Sequence, residues 1–456
     1  MDVSSVHLIG IAGSGLSAIA RVLAGSGYTV SGSDRQASPF LKGLREAGVQ
    51  VRLGHSPENV SGADLVVRSS AIGDDNVEVQ AARAAGIPVL KRADFLGQLM
   101  EERTGIAVAG THGKTTTTAM IAWMLYSLEQ DPSFIIGGLL RNLDTNARAG
   151  KGQAFVIEAD EYDRMFLGLR PKIAVVTNVE YDHPDCYASP EDYHQAFVAF
   201  TGRLAPGGVL LACGDHPGSV RLYEEASRSD LRAFMYGIEN PACHYHAKDL
   251  TPNPEGGLSF EFAIDNSPVT VRVTLQVPGR HNVLNALAAL AVAHHLGLSL
   301  DEAAQSLVLY QGAGRRFEVR GEAGRVTVID DYAHHPTEIK ATLSAARDRY
   351  PGQELWVVWQ PHTYSRTQTL FDEFASAFED ADHVLVTEVY AAREPVSNEF
   401  SARQIVPAME HPDAHFVPGI EEATLYLLDH LHPGNVLLVL SAGDADQISE
   451  RVLASL

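Results

Sequence analysis

Residues 106–118 read Ile-Ala-Val-Ala-Gly-Thr-His-Gly-Lys-Thr-Thr-Thr-Thr, and a largely apolar stretch follows to Leu128. The run Ile106–Ala109 predicts a buried strand, and the spacing after it predicts a helix over Thr117–Leu128. Between them lie Gly110, Thr111, His112, Gly113, Lys114, Thr115 and Thr116. A glycine loop that leaves a strand and opens a helix turns backbone N–H groups towards phosphate oxygens. A lysine in that loop reaches the terminal phosphates of a nucleotide, and the hydroxyl after it can ligate Mg2+. The loop is two residues shorter between its glycines than the pattern G-x-x-x-x-G-K-[ST]. Strand, loop and helix still agree, so residues 110–116 are read as nucleotide-binding rather than as a chance Gly-Lys-Thr on a turn.

Two acidic segments follow further apolar strands. Glu158-Ala-Asp160-Glu161-Tyr162-Asp163 comes directly after Phe155–Ile157, and Asn178-Val-Glu180-Tyr-Asp182-His183 after Ile173–Thr177. A charge run is usually a solvated turn, and a single histidine is usually structural. The carboxyl ends of strands are, however, where open α/β sheets bind ligands. A hard cation beside nucleotide phosphates takes oxygen ligands, and a neutral imidazole can complete its shell.

The same alternation of strand and helix runs along most of the 456 residues, which is enough chain for about three domains. The expected fold is α/β. A Rossmann-like N-terminal domain spans 1–102. A central P-loop ATPase-like domain spans 103–313, with a parallel sheet and a small antiparallel patch near 243–277. A Rossmann-like C-terminal domain spans 314–456. Thirty-five Lys and Arg against 57 Asp and Glu give a charge of −22, which argues against nucleic-acid or anionic-membrane partners. No apolar run approaches the roughly 20 residues of a membrane span, and no basic segment precedes the first apolar stretch, so a cytoplasmic place is expected. Cys186, Cys213 and Cys243 are widely spaced and suit reduced thiols.

Other motifs sit at matching places. Gly10-Ile-Ala-Gly13-Ser14-Gly15 lies between a strand and a helix, with Asp34 about 20 residues on. That pattern suits a bound diphosphate, or a tight turn with no ligand. Taken alone it also fits a dinucleotide-dependent dehydrogenase, which would leave residues 110–116 and both acidic segments without a role. Asn282 and Asn285 share one face of a helix's first turn, where amides can read an adenine edge or act as a cap and a buried amide. In the last third, Gly314-Arg315-Arg316-Phe-Glu318, Asp330-Asp331-Tyr332-Ala-His334-His335-Pro336 and Gln360-Pro-His362-Thr363-Tyr364-Ser-Arg366 place ionisable groups beside predicted strands.

In this order, GTHGKTTTT, EADEYD, NVEYDH, PGRHNVLNA, RRFE, DDYAHHPTE and QPHTYSRT resemble the Mur ligases of peptidoglycan synthesis, from residue 7 to about 445. Within that family the chain is most similar to the branch that adds L-alanine. HLIGIAGSGLSAIA, SSAIGDDNVE at 69–78, DDYAHHPTEIKATL and QPHTYSRT carry that likeness. The resemblance implies three domains that hold a UDP-sugar, ATP and the incoming amino acid, and that close on one another around ligands. It implies that L-alanine is joined to the lactyl carboxylate of UDP-N-acetylmuramate with cleavage of ATP to ADP and phosphate. Gly13, Ser14, Gly15, Asp34, Ser69 and Ser70 would then serve the UDP-sugar, and Thr115, Glu158 and His183 would hold Mg2+. Asn282, Asn285, Arg316 and Asp331 would serve ATP, and His334, His362 and Arg366 the acceptor amino acid or the phosphate. A monomer or weak homodimer is expected. No lysine stands between Lys172 and Lys248, which excludes the carbamylated lysine of other branches. EADEYD also resembles the recycling ligase that attaches an intact tripeptide, and Thr363 stands where many members carry Arg.

Overall fold

Short runs of Val, Ile, Leu and Ala that are apolar on both faces form parallel strands covered on both sides. In the strand Thr104–Ala109, Ile106 to Ala109 are fully buried. The computed structural model describes residues 3–38, 40–101, 103–229 and 231–456; residue 102, where the first domain boundary is expected, lies outside them. The strands fall into three sheets. Contacts divide the chain into two units: residues up to Val179 with His194–His244 and Ala288–Ser306, and Glu180–Tyr193 with Tyr245–Leu287 and Leu307–Leu456.

The first unit begins with five parallel strands in the order Gln50–Leu53, Thr29–Asp34, Ser5–Ile9, Leu65–Arg68, Val89–Lys91. Strand order reverses between Ser5–Ile9 and Leu65–Arg68, the kind of position at whose carboxyl ends open α/β sheets take ligands. A second set runs Arg232–Gly237, Val209–Cys213, Ile173–Val176, Thr104–Ala109, Ala154–Glu158, Ser133–Leu140, again parallel, with Thr145–Arg148 antiparallel at the edge. The glycine loop therefore leaves an interior strand. Its helix, Lys114–Ser127, begins three residues before the expected Thr117. A row of threonines reads as poor helix, but the Thr118 hydroxyl donates back to the Lys114 carbonyl at 2.7 Å, and Thr115, Thr117 and Thr118 are buried.

In the second unit the expected antiparallel patch is the ladder Tyr245–Pro252, Leu258–Ile264, Thr270–Thr274. A six-stranded sheet follows in the order Glu318–Ala323, Val326–Asp331, Val436–Ser441, Leu355–Gln360, His383–Val386, Ala414–Phe416. The first pair is antiparallel and the rest parallel. Trp359, Phe374 and Phe378 pack one face, and Trp356, Leu427 and Ile448 the other. Register pairs Asp331 with Leu440 and Gln360 with Ser441, so the segments after 331, 360 and 441 leave one edge together. Among the described residues no helix is long and apolar enough to cross a membrane.

Candidate active site

The loop after Ala109 is built by backbone constraints. Gly110 has φ +138°, and a Cβ there would lie 2.0 Å from the Thr177 hydroxyl, so only glycine fits. Gly113, at φ +79°, is left-handed and caps the helix. The loop is tied to the neighbouring strand end: His112 N donates to Asn178 Oδ1 at 2.8 Å, and the Thr177 hydroxyl to the His112 carbonyl at 2.5 Å. Lys114 Nζ donates to the carbonyls of Gly110 and Thr111, at 2.6 and 2.9 Å, and to Glu161 at 2.9 Å. Burial would depress its ammonium, but Glu161, Glu158 and Asp160 outweigh that and raise its pKa. The Thr115 hydroxyl donates to Glu158 Oε1 at 3.0 Å, and Gly137 N to Oε2 at 2.7 Å. Lysine and hydroxyl on the loop thus each meet a carboxylate at or just after the carboxyl end of the strand Ala154–Glu158. Asp160 is raised by burial and by Glu161.

The N-terminal turn repeats the same strand–glycine–helix geometry. Gly10 N and Ile11 N donate to the Ser33 carbonyl at 2.8 and 3.1 Å. Asp34 Oδ2 accepts from Ala12 N at 2.9 Å and Oδ1 from Gln36 N at 3.3 Å, so this carboxylate closes the turn. The helix Ser14–Gly25 starts behind Gly13 with no side-chain cap, leaving its first N–H groups to a ligand or water. Ser69 lies against the turn, its Cβ 3.0 Å from a Cβ built on Gly10, and Ser70 follows it on the surface.

The second unit gathers a third group. Arg366 is buried and forks onto Asp182, Nε to Oδ1 at 2.8 Å and Nη2 to Oδ2 at 3.1 Å. The guanidinium holds the Asp182 carboxyl well below its usual range against the opposing effect of burial. Arg366 Nη1 lies 3.1 Å from His362 Nδ1, and Nη2 3.5 Å from His183 Nδ1. The His334 and His362 rings are 5.8 Å apart. His334 Nδ1 meets the Tyr332 carbonyl at 2.9 Å, which makes Nδ1 the protonated nitrogen and leaves the lone pair on Nε2. Burial, with Arg366 nearby, pushes His334 down to about 3 and His362 to about 4, so both are neutral near pH 7. Glu338 faces His334 and stands 3.5 Å from Arg316.

The two arginines of RRFE divide. Arg315 donates to the Ser441 carbonyl at 2.7 Å and holds the strand edge, whereas Arg316 faces Glu338 and the Tyr332 ring, 5.1 Å away. Asp331 accepts from Phe317 N and Ala333 N, each at 2.8 Å, and burial raises it to about 6. Asn282 and Asn285 open the helix Arg280–His295. Asn285 donates to Asn282 at 3.1 Å, and Asn282 to the Pro278 carbonyl at 2.7 Å. Thr363 has φ +65° and ψ 143°, strained for a threonine, at the head of the His362–Arg366 segment. Sequence reasoning missed three partners: Glu161 on Lys114, Asp182 on Arg366, and Glu338 between Arg316 and His334. Their motifs were visible, but their pairings were not.

Three family descriptions match in series: "Mur ligase family, catalytic domain" over 5–104, "Mur ligase middle domain" over 108–293, and "Mur ligase, glutamate ligase domain" over 315–443. The chain belongs to the Mur ligase family. It is 47% identical over 466 aligned residues to the UDP-N-acetylmuramate–L-alanine ligase of Roseiflexus sp. (strain RS-1), covering 99% of this chain and 98% of that one. Among solved structures it is similar to a UDP-N-acetylmuramate–alanine ligase from Thermotoga maritima, with TM-score 0.79, 28% identity, and 99% and 98% of the chains covered. It is also similar to a murein peptide ligase from Psychrobacter arcticus, with TM-score 0.70, 26% identity and the same coverage.

Proposed function

We propose that this chain is an ATP-dependent ligase that joins L-alanine to the lactyl carboxylate of UDP-N-acetylmuramate in the making of peptidoglycan precursors. The observation that carries the reading is full-length likeness to ligases named for that reaction; the contacts of Lys114 with Glu161 and of Thr115 with Glu158 on the glycine loop support it. In this reading residues 1–102 take the UDP-sugar, 103–313 ATP, and 314–456 the amino acid, in the cytoplasm.

A carboxylate is a poor acyl donor because its oxygen is a poor leaving group. One lactyl oxygen attacks the γ-phosphorus of ATP, the bond to the β-phosphate oxygen breaks, and ADP leaves. The neutral amine of alanine then attacks the acyl carbon, phosphate leaves with the oxygen it acquired, and the nitrogen gives up one proton to solvent or to the departing phosphate. The first step brings two anions together. Lys114 releases the loop carbonyls and holds the γ-phosphate, and Arg316 adds a second cation. The Thr115 hydroxyl and Glu158 carboxylate form an oxygen donor pair that fits Mg2+, and His183 would join a second such site. Mg2+ bound there supplies neutralising charge to the phosphates. Asn282, Asn285 and Asp331 serve the nucleoside. His334 and His362, uncharged, face the amino acid. Arg366 is held by Asp182 and positions His362 and His183.

The test is phosphate release with ATP, Mg2+ and UDP-N-acetylmuramate, comparing L-alanine with the tripeptide L-Ala-γ-D-Glu-meso-diaminopimelate. Stimulation by L-alanine is expected. Stimulation by the tripeptide alone would overturn the reading in favour of recycling.

A further inference from the structure

Arg92 has no part in the chemistry described so far. It opens the helix Arg92–Glu101 directly after the strand Val89–Lys91, at the carboxyl edge of the first sheet, where Gly10 and Ser69 also stand. Two close approaches fix that helix. A Cβ on Gly97 would fall 2.1 Å from the Gly168 carbonyl oxygen, and one on Gly168 2.5 Å from the Ala93 backbone. The Arg92 side chain is thereby laid over Gly15, so near that a Cβ on Gly15 would lie 1.7 Å from Nη1.

The guanidinium is poorly served for a group only 21% exposed. Nη2 reaches the Met165 thioether sulfur at 2.8 Å, a weak acceptor. The nearest carboxylate, Asp160, is 3.6 Å away. Nε is buried with no hydrogen-bond partner. A cavity of about 130 Å³ opens beside it, lined by Ser14, Gly15, Arg92, Gly137, Glu158 and Asp160 among others. A cation with three weak or missing partners, set against an uncapped helix N-terminus, is arranged for an oxyanion.

We propose that Arg92 is a further substrate-binding residue, whose guanidinium takes the diphosphate of the UDP-sugar at the Gly13–Gly15 turn in place of Met165 and Asp160. The proposal rests on the reading of the chain as a UDP-N-acetylmuramate ligase. It explains why position 15 is glycine: a side chain there would displace the guanidinium.

Calorimetric titration of the full chain tests it. Arg92→Met should weaken UDP-N-acetylmuramate by roughly ten- to hundredfold, the range of a charged hydrogen-bonding partner. It should weaken UDP alone, which carries the diphosphate without the lactyl group, by the same factor, and leave ADP affinity unchanged. Equal affinity in a variant with wild-type circular dichroism and melting temperature would overturn the proposal. So would a loss for UDP-N-acetylmuramate that UDP does not share, since that assigns Arg92 to the lactyl carboxylate. If Arg92→Met does not fold, Gly15→Ala moves the guanidinium while keeping its charge. It should weaken both ligands, and the double variant Gly15→Ala, Arg92→Lys should lose little more; additive losses count against the proposal. Failure of the unmodified chain to bind UDP-N-acetylmuramate would remove the functional reading and this inference together.

Discussion

The first unit uses one backbone device twice. At Gly10–Gly15 and again at Gly110–Thr116 a buried parallel strand turns through glycines into a helix whose N-terminus has no side-chain cap. The two differ in where their charge comes from. The second loop carries its own cation, Lys114, and its own hydroxyl, Thr115, in consecutive positions. The first has a hydroxyl, Ser14, but no cation of its own: Asp34 closes it, and the nearest cation over it, Arg92, comes from 77 positions beyond Gly15 (92 − 15). A cation inside a loop can follow a moving γ-phosphate, because only its own side chain must swing. One delivered from a clamped helix can only hold a fixed group. That is the division expected between a transferred phosphoryl group and a diphosphate that merely anchors.

The largest effect that would break this comparison is expected at Lys114. Lys114→Ala should lower kcat by at least about a thousandfold, as loss of a phosphate-stabilising group does. UDP-N-acetylmuramate affinity should stay within about threefold, because the first turn does not depend on Lys114. A phosphate-release assay and a titration of the same preparation check both. A parallel collapse of UDP-sugar affinity would show that the two loops are not independent.

The next effect distinguishes the two glycine sets by stability. Gly110→Ala forces a Cβ to within 2.0 Å of Thr177 Oγ1 at φ +138°, so strain and overpacking add to about 4 kcal/mol. A Cβ on Gly13 meets only the Gly10 carbonyl, at 3.5 Å, so Gly13→Ala should fold with a stability change under about 1 kcal/mol. Its cost should appear as a raised KM for the UDP-sugar. Thermal melts of the two variants side by side measure the contrast, and an equal fall in both would refute it.

What the sequence made legible follows the same line between local and distant. The loop 110–116, the turn 10–15 and the acidic strand ends were readable because each is a short run whose chemistry and context are adjacent. Glu161 on Lys114 is 47 positions away, and Asp182 on Arg366 184, and no spacing encodes such pairs. RRFE showed two arginines but not which one faces Glu338, because that depends on where the Ser441 carbonyl falls. The edge pair Ser133–Leu140 and Thr145–Arg148 passed unread: Gly137 and Gly138 interrupt its apolar run, and its pairing shifts register. Asp34 was visible at the offset of a ribose-binding acid, yet its oxygens meet backbone N–H groups of residues 12 and 36. Offset gave the position and could not give the partner.

The smallest of the three effects concerns what stiffens the first turn. Glu78 is fully buried under it and accepts from the Ser33 hydroxyl at 2.5 Å, from Ser56 N at 3.2 Å and from the Asn59 amide, with His55 Nδ1 at 3.2 Å and His7 Nε2 at 3.6 Å. Ser33 is the residue whose carbonyl receives Gly10 N and Ile11 N. Burial alone would raise this carboxyl; His7, Ser33, Asn59 and Ser56 outweigh it and hold the pKa at about 2 instead of 4.5. An acid depressed in the folded state stabilises it above the unfolded pKa, and that stability is lost as pH falls from about 4.5 through 2. A shift of this size is worth on the order of 3 kcal/mol. Glu78→Gln should therefore melt below the wild type at pH 7, and the gap should close as pH falls towards 2–3. It should also raise the KM for the UDP-sugar and leave that for ATP alone, since the loop at Gly110 is braced by Thr177 and Asn178 instead. A gap that persists unchanged at low pH would mean that the glutamate acts by packing rather than by charge.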